Sequence, residues 1–319
     1  MAEQRFCYRH PDRETGLSCS ECGRPICVDC MTVAPVGIRC PDHAGARPRA
    51  VTAAARPATV ATKRVRRTAA RHGYVIPEFS VTRVLVVVNV LVYLLELAIG
   101  GNIDGTSNSI FNHGALVVNG AYAGDQFGAF HPGTPIPPGL TPAGLEHGEW
   151  YRLLSAAFLH YGPIHLGLNM LALWWLGQPV EAALGRARFF LLYIVSGLAG
   201  SAGALLITPN SVTVGASGAI FGILGALLVL EYQVTGSLAG QAMTLIVINL
   251  AFSAGFSSNI SLGGHVGGLI AGILSTIAFV GFRRQFPAVG RAALFRAAIV
   301  VAIGVLSVLI AYLKVKSIT

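Results

Sequence analysis

Charge is what this chain most lacks. Only 12% of its 319 residues are charged and 53% are hydrophobic, against about 25% charged in an ordinary soluble protein. The shortage is uneven, because residues 1 to about 80 hold most of the charge. That excludes a single soluble globular domain and leaves a soluble N-terminal segment followed by a polytopic membrane domain. Cysteine is absent beyond Cys40, and lysine and arginine are absent from about 101–150. No apolar h-region follows Met1-Ala2-Glu3-Gln4-Arg5, so no cleavable signal peptide is expected. Internal repeats and helix-breaking pairs in matching halves are also missing, which counts against a seven-span transporter or channel.

Seven apolar runs are present, at roughly 82–100, 151–177, 188–207, 216–233, 239–257, 264–282 and 294–313. A helix needs about 20 such residues to cross about 30 Å of hydrocarbon. The second run is least apolar at its start, where Arg152, His160 and His165 fall. Lys63, Arg64, Arg66 and Arg67 precede the first run. Arg186 and Arg188 lie in the second loop, and Arg283, Arg284, Arg291 and Arg296 in the sixth. A cytoplasmic N-terminus places all of these inside. The C-terminus then falls outside, with Lys314 and Lys316 as a minor exception. The same bias, with attraction to anionic membrane lipid, accounts for the net charge of +9, so no nucleic-acid partner is expected.

The six cysteines join two histidines in four pairs of one spacing: Cys7-x-x-His10, Cys19-x-x-Cys22, Cys27-x-x-Cys30 and Cys40-x-x-His43. A two-residue gap lets both side chains of a pair reach one metal from a tight turn. Eight ligands fill two four-coordinate sites, the geometry zinc prefers. Residues 1–44 hold too little apolar material for a core, so two structural zinc ions would supply the folding energy. Three disulfides would suit neither a cytoplasmic location nor the paired histidines. The order of the pairs resembles B-box-type cross-braced zinc fingers. That resemblance implies Cys7, His10, Cys27 and Cys30 around one zinc, and Cys19, Cys22, Cys40 and His43 around the other. With no ligand position open to water, the role is structural or that of an adaptor for a cytoplasmic protein partner. Residues 45–80, rich in Ala, Arg, Pro and Thr, read as a flexible basic linker.

Four polar residues stand in the apolar runs at similar depth, toward the outer side. Ser217 opens the fourth run and His265 the sixth, while His165 and Asn169 lie one helical turn apart in the second. Polar groups inside a membrane are costly and usually face one another or a cavity. Gly218, Gly222 and Gly225, with Gly264, Gly268 and Gly272, recur at three- to four-residue spacing. Such stripes let two helix backbones approach closely, which would bring Ser217 to His265. A soluble α/β-hydrolase needs Gly-x-Ser-x-Gly after a strand. Here glycine directly follows Ser217 and membrane runs flank it.

Taken in order, Trp150-Tyr151-Arg152, His165-x-x-x-Asn169, Glu181, Gly215-x-Ser217-Gly218 and Gly264-His265-x-x-Gly268-x-x-x-Gly272 resemble the rhomboid intramembrane serine proteases. The resemblance covers about 82–282. It implies an all-α polytopic membrane protein: a six-helix core at 81–285, an added seventh transmembrane helix with a tail at 286–319, and the zinc-binding domain in front. It further implies Ser217 as nucleophile, His265 as general base, and an oxyanion hole from His165, Asn169 and the backbone amide of Ser217. Phe221 would pack on the ring of His265. Arg152 with Trp150 would steady the first loop, and Glu181 would anchor helix packing. Catalysis would need no cofactor, and the substrates would be transmembrane proteins cut near the outer face. Glu96 reads as a structural or interfacial carboxylate. The alternative is a catalytically silent relative that binds transmembrane clients.

Overall fold

The computed structural model describes residues 5–33, 38–43, 80–100, 102–103, 108–124, 126–255, 260–281 and 291–319. The basic linker, except Ser80, and the loop with Arg283 and Arg284 lie outside the described residues. Two compact units emerge, Met1–Gly73 and Tyr74–Thr319.

The first unit holds two short hairpins. β1 (Phe6–Cys7) pairs with β2 (His10–Glu14), and β3 (Thr32–Val33) pairs with β4 (Ile38–Arg39). Among the described residues its buried interior is Ile26 with five of the six cysteines, Cys22 being exposed.

The second unit is mainly helical. Its elements are α1 (Val81–Ala98), α2 (Ser109–Gly114), α3 (Arg152–Ser155), α4 (Gly162–Leu184), α5 (Arg186–Ile207), α6 (Ser217–Thr235), α7 (Gln241–Gly255), α8 (Leu262–Val280) and α9 (Arg291–Lys316). Five of them, α1, α5, α6, α8 and α9, are long and apolar enough to span a bilayer. The second and fifth expected spans take a different form. α4 has 23 residues but carries His165, Asn169, Gln178 and Glu181, which lower its apolarity. It also starts at Gly162 rather than 151. Gly162 has φ +78° and Pro163 follows, and this pair ends the preceding turn before a new helix begins. α7 has 15 residues, about 22 Å at 1.5 Å per residue, short of a 30 Å core.

A small sheet, not anticipated from the sequence, occupies the stretch between α2 and α3. β5 (Asn119–Ala123) pairs antiparallel with both β6 (Gln126–Phe130) and β7 (Thr141–Ala143). The end of α9 folds back beside it. Tyr312 lies 5.5 Å from Trp150, ring to ring, and Ala311 and Val315 pack in one cluster with Leu116, Leu145 and Leu153. The C-terminus and this stretch are therefore at the same end of the bundle.

Glycine sets the closeness of α6 and α8. A Cβ on Gly268 would collide with the backbone of Gly218, and one on Gly272 with the backbone of Gly222. α5 joins them through Gly200 and Gly203, which face Gly264 and Gly263. Gly268→Val is expected to destabilise the bundle by about 3 kcal/mol or more, because backbone cannot yield to it as a side chain would. Gly167→Ala, where a Cβ meets nothing within 4 Å, should instead be neutral or stabilise by up to about 1 kcal/mol. Thermal unfolding midpoints of the two variants check the contrast; equal midpoints would refute it.

Candidate active site

A cleft of about 810 Å³ opens among α4, α6, α7 and α8, lined by His165 and Asn169, Ser217 and Phe221, Ser253, and His265. His165, Ser217 and His265 fall in the first turn of α4, α6 and α8, and Ser253 in the last turn of α7. α6 begins at Ser217 because Gly215, at φ +123°, turns the chain where an ordinary side chain is strained. A Cβ at Gly215 would also stand 2.8 Å from the ring of His165. α8 begins after Ser261, whose hydroxyl accepts the Gly264 amide at 3.1 Å.

Ser217 Oγ lies 2.9 Å from Nε2 of His265. Phe221, one turn on from Ser217, stacks on the His265 ring at 4.0 Å between centroids and 14° between planes. His265 Nδ1 lies 2.7 Å from Ser253 Oγ on α7. His165 stands across the cleft. Its Nδ1 accepts the backbone N–H of Tyr161 at 3.1 Å. An amide can only donate, so in the neutral ring Nε2 bears the proton. That nitrogen is the one against Gly215. Asn169 donates one amide hydrogen to the carbonyl of His165 at 2.9 Å; the amide carries two, which leaves one for the cleft.

The other expected residues lie around this centre. Arg152 is fully buried and donates to the carbonyls of Ala115 at 2.7 Å and Asn112 at 2.8 Å. Glu149, unremarked in the sequence, pairs with it at 2.7 Å and also accepts the Gly144 amide at 2.6 Å. Burial pushes the Glu149 carboxyl up, but these hydrogen bonds and the guanidinium hold it below its ordinary range. Trp150 lies against Tyr312 and packs on the cluster that holds Leu116, Val118 and Leu145. Glu181 caps α1, taking the amides of Val81 and Thr82 and the hydroxyls of Ser80 and Thr82 at 2.7–2.9 Å. Glu96 is fully buried, has no hydrogen-bond partner among the described residues and does not line the cleft. His160, also fully buried, packs on the His165 ring at 5.2 Å.

In the first unit two clusters form: Cys7, His10, Cys27 and Cys30, and Cys19, Cys22, Cys40 and His43. None of the six cysteines is in a disulfide. His10 Nδ1 lies 3.4 Å and 3.3 Å from the sulfurs of Cys27 and Cys30, and the sulfurs of Cys22 and Cys40 are 3.8 Å apart. Tetrahedral zinc with ordinary bond lengths spaces its ligands by about 3.6 Å and 3.8 Å, so both donor sets fit a metal. Burial pushes the Cys7 and Cys19 thiols up, but hydrogen bonds, mainly from backbone amides, outweigh it and bring each down to about 6. Thiolates are the form that binds metal.

Residues 147–282 match the family model for the Rhomboid domain. The chain carries a rhomboid domain. It is 42% identical over 125 residues to "Rhomboid protease GluP" of Bacillus subtilis (strain 168), covering 38% of this chain and 24% of that protein. It is 37% identical over 123 residues to "Putative rhomboid protease YdcA" of the same organism, covering 37% of this chain and 62% of that one. Over 118 residues it is 41% identical to "RHOMBOID-like protein 5" of Arabidopsis thaliana, covering 35% and 38%. The matches thus span a quarter to under two thirds of these relatives. With its five apolar helices, the chain is a multi-pass membrane protein. The rhomboid domain takes in Ser217, His265, His165 and Asn169; the two Cys/His clusters lie outside it.

Proposed function

We propose that this protein is an intramembrane serine endopeptidase that cuts transmembrane segments near the outer face. The observation that carries the reading is the 2.9 Å contact of Ser217 Oγ with His265 Nε2, both lining one cleft. Nucleophile and base within hydrogen-bond reach, with the base held by further groups, is the arrangement covalent acyl transfer needs.

In this reading Ser217 Oγ attacks the scissile carbonyl carbon as His265 Nε2 takes its proton. The tetrahedral oxyanion meets the Nε2–H of His165, the free amide hydrogen of Asn169 and the backbone N–H of Ser217. Collapse expels the amine, which receives the proton from His265 and leaves an acyl ester on Ser217. Water, deprotonated by His265, then releases the acid and restores the serine. The cytoplasmic N-terminus and outer C-terminus follow from the arginine distribution. The clusters of the first unit would each hold one structural zinc.

Asn169→Ala and His165→Ala are each expected to lower kcat roughly 10- to 1,000-fold, the effect of losing one oxyanion donor, with little change in thermal stability. Unchanged rates in both would move the oxyanion hole elsewhere. The reading itself is tested by incubating purified protein in liposomes with a panel of single-span substrates. Cuts inside the outer part of the span support it. No product from any of them would favour a client-binding protein instead.

A further inference from the structure

We propose that Ser253 is a positioning residue for the base, its oxygen accepting the Nδ1–H of His265 so that Nε2 is held toward Ser217. This rests on the reading of Ser217 and His265 given above.

Ser253 Oγ sits between two groups. The backbone carbonyl of Asn249 is 2.6 Å away and Nδ1 of His265 is 2.7 Å away. A carbonyl can only accept, so the one hydroxyl proton of Ser253 goes to Asn249. A lone pair is left facing His265, and Nδ1 must supply the proton. In the neutral ring Nε2 is then the acceptor, and Ser217 Oγ donates to it across 2.9 Å. With the hydroxyl turned the other way, two oxygens would face each other at 2.6 Å with no proton between them. Nε2 would then carry a proton and could not take one from Ser217. A backbone carbonyl on α7 thus selects the tautomer that a general base requires.

The stacking of Phe221 fixes the plane of the ring but not its rotation within that plane. Ser253 supplies the polar contact that tells Nδ1 from its carbon neighbour. Burial strengthens the distinction: Ser253 is 1% exposed and His265 is 7% exposed, so water competes little for either. No carboxylate is among the described residues lining the cleft. Ser253 therefore stands where an acid stands in Ser-His-Asp triads. Being neutral, it orients the imidazole without balancing its charge, so its effect is smaller than an acid's.

The experiment measures kcat, KM and thermal midpoint for the full-length protein in liposomes on one cleaved substrate. Ser253→Ala is expected to lower kcat about tenfold, the worth of one neutral hydrogen bond, with KM and midpoint unchanged. Ser253→Thr, which keeps the hydroxyl, should restore most of the rate. Nitrogen-15 NMR should find Nδ1 of His265 protonated in the wild type and a tautomer mixture in Ser253→Ala. If the alanine variant does not fold, Ser253→Cys keeps the volume with a weaker acceptor and is read in the same way. Wild-type kcat in the substituted protein overturns the proposal. So does a threonine variant no faster than alanine, or a wild-type Nδ1 without its proton. Ser217→Ala serves as control: if it still cleaves, the dyad reading has failed. If it is inactive while Ser253→Ala runs at the wild-type rate, only the role of Ser253 has failed.

Discussion

Replacing Ser217 with alanine is expected to lower proteolysis roughly 10⁴- to 10⁶-fold while the protein still folds and inserts. His265→Ala should do the same, and the double variant should be no slower than either. Residues that act as one unit lose their joint effect at the first deletion. Folding should survive because neither side chain holds the bundle together. The close packing of α6 on α8 depends on glycine backbone at Gly218, Gly222, Gly268 and Gly272, not on the serine or the histidine. Single-turnover cleavage in liposomes, with thermal midpoints alongside, measures both halves of this expectation. Multiplying losses in the double variant would mean that Ser217 and His265 act independently.

The second large effect concerns metal. Chelation should strip about two zinc ions per chain and melt the N-terminal unit, because its interior is little more than Ile26 and the ligand cysteines. Structural zinc in small fingers is worth about 10–16 kcal/mol in apparent binding, far more than two hairpins with strands of two to five residues could provide. Proteolysis should continue, since the unit Tyr74–Thr319 contains the whole Ser217 cleft. Metal analysis and circular dichroism of the chelated N-terminal unit measure the first effect. Cleavage by a chain starting near residue 75 measures the second. A zinc content near zero would contradict the metal reading, and loss of cleavage in a well-folded truncation would bring the head into catalysis or gating.

The sequence was most legible where chemistry forces a pattern. The pairs Cys7/His10 and Cys27/Cys30 share one cluster and Cys19/Cys22 and Cys40/His43 the other, as the cross-braced order implies. The glycine stripes of the fourth and sixth runs do meet. Length and apolarity marked α1, α5, α6, α8 and α9, because hydrocarbon imposes both. Legibility fell where tertiary context decides. The apolar run puts the start of α4 about ten residues early, since Leu153, Leu154, Ala156, Ala157, Phe158 and Leu159 extend it while Gly162 and Pro163 break the helix. The β5–β7 sheet arises in a stretch whose Gly and Pro content reads as loop. Nothing in the sequence marks Glu149, because its importance depends on a buried Arg152 beside it, which spacing does not reveal. Ser253 is hidden for a similar reason. Asn249 and Ser253 lie one helical turn apart, the same signal that marked His165 and Asn169. A serine in an apolar helix most often bonds its own backbone. Ser253 does so, and the same bond turns its lone pair to His265.

The most direct test of the account is labelling with a fluorophosphonate, which bonds covalently to a serine oxygen activated as a nucleophile and leaves ordinary serines untouched. The labelled protein is digested and mapped by mass spectrometry. The account predicts one adduct, on Ser217, that disappears in His265→Ala and in Ser217→Ala. An adduct on another serine, or equal labelling of Ser217 without His265, would contradict it.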